Sequence, residues 1–419
     1  MADGALDALV EQVRAAAAEG RALRIRGGGT KAFYGEEPPA GLQEQPLDVR
    51  PLRGISAYEP SELVVTVRAG TPLAELEAEL ARAGQWLPFE PPHFAPGGQA
   101  LGHESAGATA GAAADGTPDG TPDGTPDGTP IDTPGDTPGG TPGGTVGGTV
   151  GGTVGGMVAA GLAGPARASA GSVRDYVLGA TLLNGRAELL SFGGQVMKNV
   201  AGYDVSRLLA GSLGLLGVIC EVSLKVLPRP VARRTLRLEL DQAQALESLN
   251  AWGGQPLPLQ ASAWWQGTLV LRLAGAQAAV AAAHARVGGE EVEPALADAF
   301  WTGLRDHSDE YFVAAAQAVR SGSRLWRLSL PSTCAPLDLP GSTLVEWGGA
   351  QRWLLSDAPA ETVRTAARAA GGHATVWRGD KSCGAFDELS VPLSRIHREL
   401  KQAFDPQQLF NRGRLVRGL

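Results

Sequence analysis

Ten consecutive tetrapeptides, from Asp115 to Val154, split this 419-residue chain into two stretches that have to build the fold between them. The units read DGTP four times, then IDTP, GDTP and GGTP, then GGTV three times. No apolar face alternates along them, and each Thr before Pro is pushed out of the helical region. From Ala95 to Val154 the sizeable apolar side chains are Leu101, Ile131 and three valines, too few to bury a core. The same span holds seven acidic residues and no Lys or Arg, so nearly all of the net charge of −8 resides there. The near-neutral remainder offers no basic stripe for nucleic acid. A calcium β-roll repeats every nine residues with an apolar position, which this pattern lacks. Residues 95–154 therefore read as a disordered insertion without a catalytic role. Gly155-Gly156-Met157-Val158 continues the register, so the repeat reads as an expansion outward from a native segment.

The flanks carry α and β signals. "MADGALDALVEQVRAAAAEG" is an amphipathic helix with Leu6, Leu9, Val10 and Val13 on one face. "ALRIRGGGT" is a strand running into a glycine loop, and "ELVVTVRAG" is a β-branched strand. In "TPLAELEAELARAG" Thr71 reads as the N-cap of a helix, Pro72 as its first residue and Gly84 as its stop. "DYVLGATLLNGRAELLSFGG" reads as two strands joined at Asn184–Gly185. A helix near "YDVSRLLAG" and a strand "GVICEVSLKVLP" follow, and Pro228 and Pro230 mark a boundary. From 231 to 375, "TLRLEL", "TLVLRLAG" and "RLWRLSLP" are strands between Ala-rich helices, as in a second α+β domain. "LSRIHRELKQAF" is a last helix.

There is no signal-peptide pattern, and no apolar run reaches the roughly 18 residues of a membrane span, so a soluble cytosolic chain is expected. Cys220, Cys334 and Cys383 lie far apart with no CxxC. That argues against a disulfide framework, a zinc site or an iron–sulfur cluster held by this chain alone.

Two glycine clusters point to a ligand. Gly27-Gly28-Gly29 after a strand lets backbone N–H groups converge on an anion, although a simple turn explains it equally well. Neither a Walker loop nor a Rossmann fingerprint is present. "GGMVAAGLAGP" and "GSVRDYVLG" are rich in Gly, Ala and Ser but keep Val158, Leu162, Val173 and Val177 as anchors. Such a stretch suits tightly packed backbone against a flat ligand.

In this order, "RIRGGGTKAF", "ISAYEPSELVVTVRAGTPLAELEAEL", "TVGGMVAAGLAGP", "VMKNVAGYDVSRLLAGSLGLLGVICEVSLKVLPRP", "GGHAT" and "FDPQQLFNRGR" resemble the GlcE-type FAD-binding subunits of bacterial glycolate oxidase. These belong to the flavoproteins with a vanillyl-alcohol-oxidase (PCMH-type) FAD domain. The resemblance implies an α+β chain: a two-subdomain FAD-binding domain over 1–230, an α+β cap-like domain over 231–375, and a C-terminal segment, 376–419, returning to the flavin.

The resemblance also implies roles. Arg26, Gly27, Gly28, Gly29 and Thr30 would hold the FAD pyrophosphate by backbone N–H groups, with Gly155 and Gly156 opposite. Gly161, Ala163, Gly164, Gly171 and Ser172 would line the ribityl and flavin, and Val218 and Ile219 would meet the adenine. Lys198, Asn199, Asn411 and Arg414 would lie near the isoalloxazine. For Lys198 a solvated strand-end lysine, and for Asn411 a turn residue, are the alternatives. The family pattern has proline where Arg412 stands, which makes the last turn less rigid. The implied partners are a catalytic flavin subunit and an iron–sulfur subunit, with contact to the inner membrane only through the complex.

Oxidising a 2-hydroxy acid needs a positioned base and a cation for the carboxylate. The His-rich metal motif of related 2-hydroxy-acid flavoproteins is absent, and six histidines are scattered singly. His373, His93 and Lys198 are the catalytic candidates, each with a structural role as the alternative. Three readings stay open: an FAD-binding subunit that relays electrons, a self-sufficient 2-hydroxy-acid dehydrogenase, and an assembly subunit with an empty flavin site. Noncovalent FAD is expected, because no His or Cys stands at a position the family uses for linkage.

Overall fold

Valine-rich strands with no polar face must be covered on both sides, and Val64–Arg68 (VVTVR) is such a strand. It sits inside a five-stranded antiparallel sheet ordered Ile55–Glu59, Val64–Arg68, Val218–Lys225, Val177–Leu183, Leu189–Gly193. The computed structural model describes residues 4–95, 151–194 and 204–419, all within one compact unit. Lys198, Asn199 and the tetrapeptides before Gly151 fall outside the described residues. One face of the five-stranded sheet packs on the helices Leu73–Arg82 and Val154–Ala160 through Leu73, Leu76, Leu80, Met157 and Val158.

A parallel pair, Ala22–Arg26 with Glu44–Asp48, forms a separate small layer. The helix Gly4–Glu19 covers it with Leu9, Val13 and Ala16, and Leu409 and Phe410 of the tail close the same core. The second part is an eight-stranded antiparallel sheet running from Glu290–Glu291 and Ala232–Glu239 at one edge to Arg324–Ser329 and His373–Arg378 at the other. Helices Gln242–Gly253, Gln277–Val287 and Ala360–Ala369 supply apolar residues to its cores. No helix of the described residues is long and apolar enough to cross a membrane.

Several sequence expectations shift locally. The helix after Thr71 begins at Leu73, with Pro72 as its extended N-cap at ψ 133°. The Thr71 hydroxyl is spent elsewhere, accepting from Gly54 N–H at 2.9 Å. The segment near "YDVSRLLAG" forms a single 3-10 turn, Ser206–Leu209, because Gly211 (φ 83°) and Gly214 (φ 77°) adopt left-handed backbone. The hairpin at Asn184 forms, but with a five-residue loop from 184 to 188. Asn184 Oδ1 accepts from Arg186 and Glu188 N–H at 2.9 and 3.0 Å, which widens the turn.

Candidate functional site

Strand Ala22–Arg26 ends where its register with Glu44–Asp48 ends, and the chain turns through Gly27-Gly28-Gly29-Thr30-Lys31. No acceptor among the described residues meets the N–H groups of these five residues. They line a cleft of ≈ 470 Å³ together with Thr153, Gly155, Gly156, Leu213, Gly217, Ile219, Asn411 and Arg414. A run of unpaired backbone donors in a concave wall is an anion cradle.

Close approach of two loops requires the glycines. A Cβ on Gly28 would lie 1.9 Å from the Gly151 carbonyl oxygen, and one on Gly27 would lie 2.4 Å from Thr153 Oγ1. The last GGTV unit is thereby built into the fold. Gly152 O accepts from Leu73 N–H at 2.8 Å, Val154 N–H donates to Thr71 O at 2.9 Å, and Thr153 caps the helix Val154–Ala160. The expected role of Gly155 and Gly156 as phosphate donors is not what their amides do. Gly155 N–H donates to Ala69 O at 2.8 Å and Gly156 N–H to Thr153 Oγ1 at 3.2 Å. Gly155 lets its helix approach Ala69, where a Cβ would lie 2.7 Å from that of Ala69, and Gly156 leaves the cleft wall without a side chain.

Lys31 is a buried cation in a cleft wall that also carries Arg24, Arg26 and Arg414. It is 9% exposed, its ammonium has Thr30 Oγ1 at 3.5 Å, and the Phe94 ring centroid is 5.7 Å away. Burial lowers its pKa to about 8 against the opposing pull of Asp306 and Glu77. Glu44 also lines the cleft. Burial raises its pKa despite Arg24, and its Oε1 has no partner among the described residues.

The tail braces the cleft. Asn411 Oδ1 accepts from Ile25 N–H at 2.9 Å and its Nδ2 donates to Leu213 O at 2.6 Å. The Arg414 guanidinium donates to the carbonyls of Lys31, Ala32 and Tyr34 at 2.9, 3.1 and 2.9 Å. Both side chains hold the glycine loop in shape. Arg412, in place of proline, donates to the Gln408 and Gln407 carbonyls and so stiffens the turn by another route.

The other expected residues lie elsewhere. Val218 is fully buried in its strand beside Ile219. Gly161 (φ 63°) caps its helix, where a Cβ would meet Gly211 N at 2.8 Å. Gly171 (φ 92°) precedes Ser172, which forms a capping box with Asp175. Ala163 and Gly164 line a void of only ≈ 20 Å³ walled by Phe94, His307, Trp353 and Trp377. His93 pairs with Glu77 at 2.8 Å and His373 is exposed at the start of its strand, so neither reaches the cleft. His307 had no sequence signal. It is stacked on Phe312 at 3.7 Å, lies 3.3 Å from Trp377 Nε1 and is held well below its usual pKa, first by burial and then by Arg378 and Arg327. Lys31 was one residue past the expected loop, and only its place after three glycines could have flagged it.

The cleft fits the diphosphate half of FAD. Five N–H groups with no acceptor among the described residues and a buried ammonium match a diphosphate, and Ile25, Val49, Leu213 and Ile219 offer apolar wall to a ring. The FAD binding domain family model matches residues 5–115. The chain is 43% identical over 408 residues to glycolate oxidase subunit GlcE of Escherichia coli K12, covering 97% of this chain and 96% of that protein. Glycolate oxidase subunit GlcD of Bacillus subtilis 168 is 41% identical over 66 residues, covering 16% of this chain and 14% of that protein. Among solved structures, an alkyldihydroxyacetonephosphate synthase superposes with a TM-score of 0.54 at 12% identity, covering 96% of this chain and 73% of that one. That likeness concerns the fold alone.

Proposed function

Because the chain belongs to the glycolate oxidase GlcE subunit family, we propose that it holds FAD noncovalently in the cleft at Gly27–Lys31 and serves a glycolate oxidase complex as an electron carrier. The carrying observation is the run of five N–H groups with no acceptor among the described residues, beside the buried Lys31 ammonium. FAD, when bound, supplies a two-electron acceptor. The chain's own residues bind and orient it. The N–H groups and Lys31 neutralise the diphosphate, Asn411 and Arg414 fix the loop that carries them, and Gly156 leaves the wall open.

The relay reading is favoured over a self-sufficient dehydrogenase by the aromatic wall beside Ala163 and Gly164. The space there, ≈ 20 Å³, admits about one water, which is less than a hydroxy acid needs. His307 faces Trp377 Nε1 through Nδ1 and is packed on both sides by aromatic rings, which suits a core residue. Glycolate oxidation to glyoxylate would then occur on a second flavin subunit, with an iron–sulfur subunit downstream. The test is the flavin content of the purified chain. Roughly one FAD per chain, all released by acid precipitation, is the expected result. A colourless chain that takes up no FAD, or flavin that stays with the precipitate, would refute the reading.

A further inference from the structure

A second cavity, ≈ 190 Å³, lies beside the short strand pair Gln85–Trp86 and Leu227–Pro228 and the helix Pro294–Asp306. Four arginines line it: Arg229, Arg233, Arg272 and Arg305. Two of them are already neutralised. Arg272 Nη2 contacts both Glu90 oxygens at 2.7 Å, and Arg305 grips Asp306 through Nε at 2.8 Å and Nη2 at 2.7 Å. The lining carboxylate Glu77 lies 2.8 Å from His93 Nε2. Arg229 and Arg233 have no ion-pair or hydrogen-bond partner for their guanidinium groups among the described residues, and Asp298 is the one lining carboxylate left to face them.

Two of the guanidinium groups lie over tryptophan rings. The Arg233 carbon sits 4.9 Å from the Trp86 ring centroid and the Arg272 carbon 4.8 Å from that of Trp301. Stacking on a ring face leaves the N–H edges pointing outward, where they match a planar or tetrahedral oxyanion. Arg272 is 5% exposed, yet its buried Nε has no hydrogen-bond partner among the described residues. A buried guanidinium N–H without an acceptor is costly unless something fills the role. Burial, then the like charges of Arg272 and Arg229, lower the Arg233 pKa against the pull of Glu90 and Asp298.

We propose that this cavity is a binding site for a small oxyanion, a phosphate or short carboxylate held by Arg229 and Arg233. Its volume equals the liquid share of about six waters, which admits such a group and excludes a nucleotide. The site adjoins the glycine-rich segment through Glu90. The Glu90 carboxylate that holds Arg272 also accepts from Ala166 N–H at 3.0 Å, and the Glu90 backbone carbonyl approaches Gly164 so closely that a Cβ there would lie 2.5 Å away. An anion on Arg233 would therefore lie near the Arg272–Glu90 pair that braces residues 164–166.

The test titrates FAD-loaded protein, whose dinucleotide cleft is filled, with inorganic phosphate and separately with malonate at constant ionic strength, by calorimetry. Saturable binding of at least one anion is expected, and the better ligand tells phosphate from carboxylate. The double variant Arg229→Ala, Arg233→Ala changes two exposed side chains, so it should fold and keep its flavin spectrum, and its anion affinity should fall about ten-fold or more. Absence of saturable binding for both anions, or unchanged affinity in the double variant, would overturn the proposal.

Discussion

On the proposed reading, Lys31 makes occupancy of the cleft depend on pH. Its folded pKa, about 8, lies below its ordinary value of 10.5 because of burial. Without ligand, the folded chain therefore binds fewer protons than the unfolded chain between about 8 and 10.5, and Lys31 makes folding more favourable as pH rises through that window. A bound diphosphate favours the ammonium instead. FAD affinity should thus be highest below pH 8 and fall above it, and Lys31→Gln should bind about ten-fold or more weakly at neutral pH and lose this dependence. Flavin fluorescence titrations across pH 6.5 to 9.5 measure both; an unchanged pH profile in the variant would remove Lys31 from the site. Two glycines separate packing from ligand access. Gly28→Ala places a Cβ 1.9 Å from Gly151 O and should cost roughly 1–3 kcal/mol of stability along with flavin. For Gly156, the nearest atom to an added Cβ is Thr153 Oγ1 at 3.2 Å, so Gly156→Val should lose flavin and keep most of its melting temperature. Three successive glycines after a strand marked the loop in the sequence, with a simple turn as the equal alternative. The buried Lys31 was not legible, since a lysine in sequence reads as solvated until its neighbours are placed.

At the scale of elements, the tail works as a brace built around one ion pair. Lys401 and Asp405, both buried, sit one helical turn apart with Nζ 2.7 Å from Oδ2. The ammonium also donates to Leu215 O and Phe410 O at 2.8 Å, and Asp405 accepts from Leu409 and Phe410 N–H at 2.9 and 2.8 Å. This fastens the final helix Val391–Phe404 to the strand core and carries Asn411 to the cleft. Lys401→Met should lower unfolding free energy by about 3–5 kcal/mol, because it strands a buried carboxylate. Urea denaturation checks this; a loss under about 1 kcal/mol would mean the tail docks without the pair. The sequence motif "FDPQQLFNRGR" marked the tail as returning to the flavin region, but not that Asp405 folds it or that Asn411 and Arg414 brace backbone. Strands such as Val64–Arg68 and Val218–Lys225 were legible from β-branched composition, while the single turn at Ser206–Leu209 was not, because its apolar spacing is also that of a longer helix.

For the whole molecule, the tetrapeptide array is the feature that length and composition alone could judge. Its final unit, Gly151–Val154, belongs to the fold, and the nine preceding units lengthen the connection after Ala95 from about 20 to about 55 residues at a closure cost of roughly 1 kcal/mol. Deleting residues 115–150, which keeps Gly151–Val154, should preserve flavin content and leave stability unchanged or slightly higher. Loss of flavin or of complex formation in that deletion would show the array to be a working part.

The claim that this subunit holds FAD and passes electrons without oxidising glycolate itself is tested most directly by one anaerobic spectrum. FAD-loaded chain, free of other subunits, is mixed with glycolate and its visible flavin absorption is followed. The account predicts that the band persists with this chain alone and bleaches once the other subunits of the complex are added. Bleaching by glycolate in the isolated chain would contradict it.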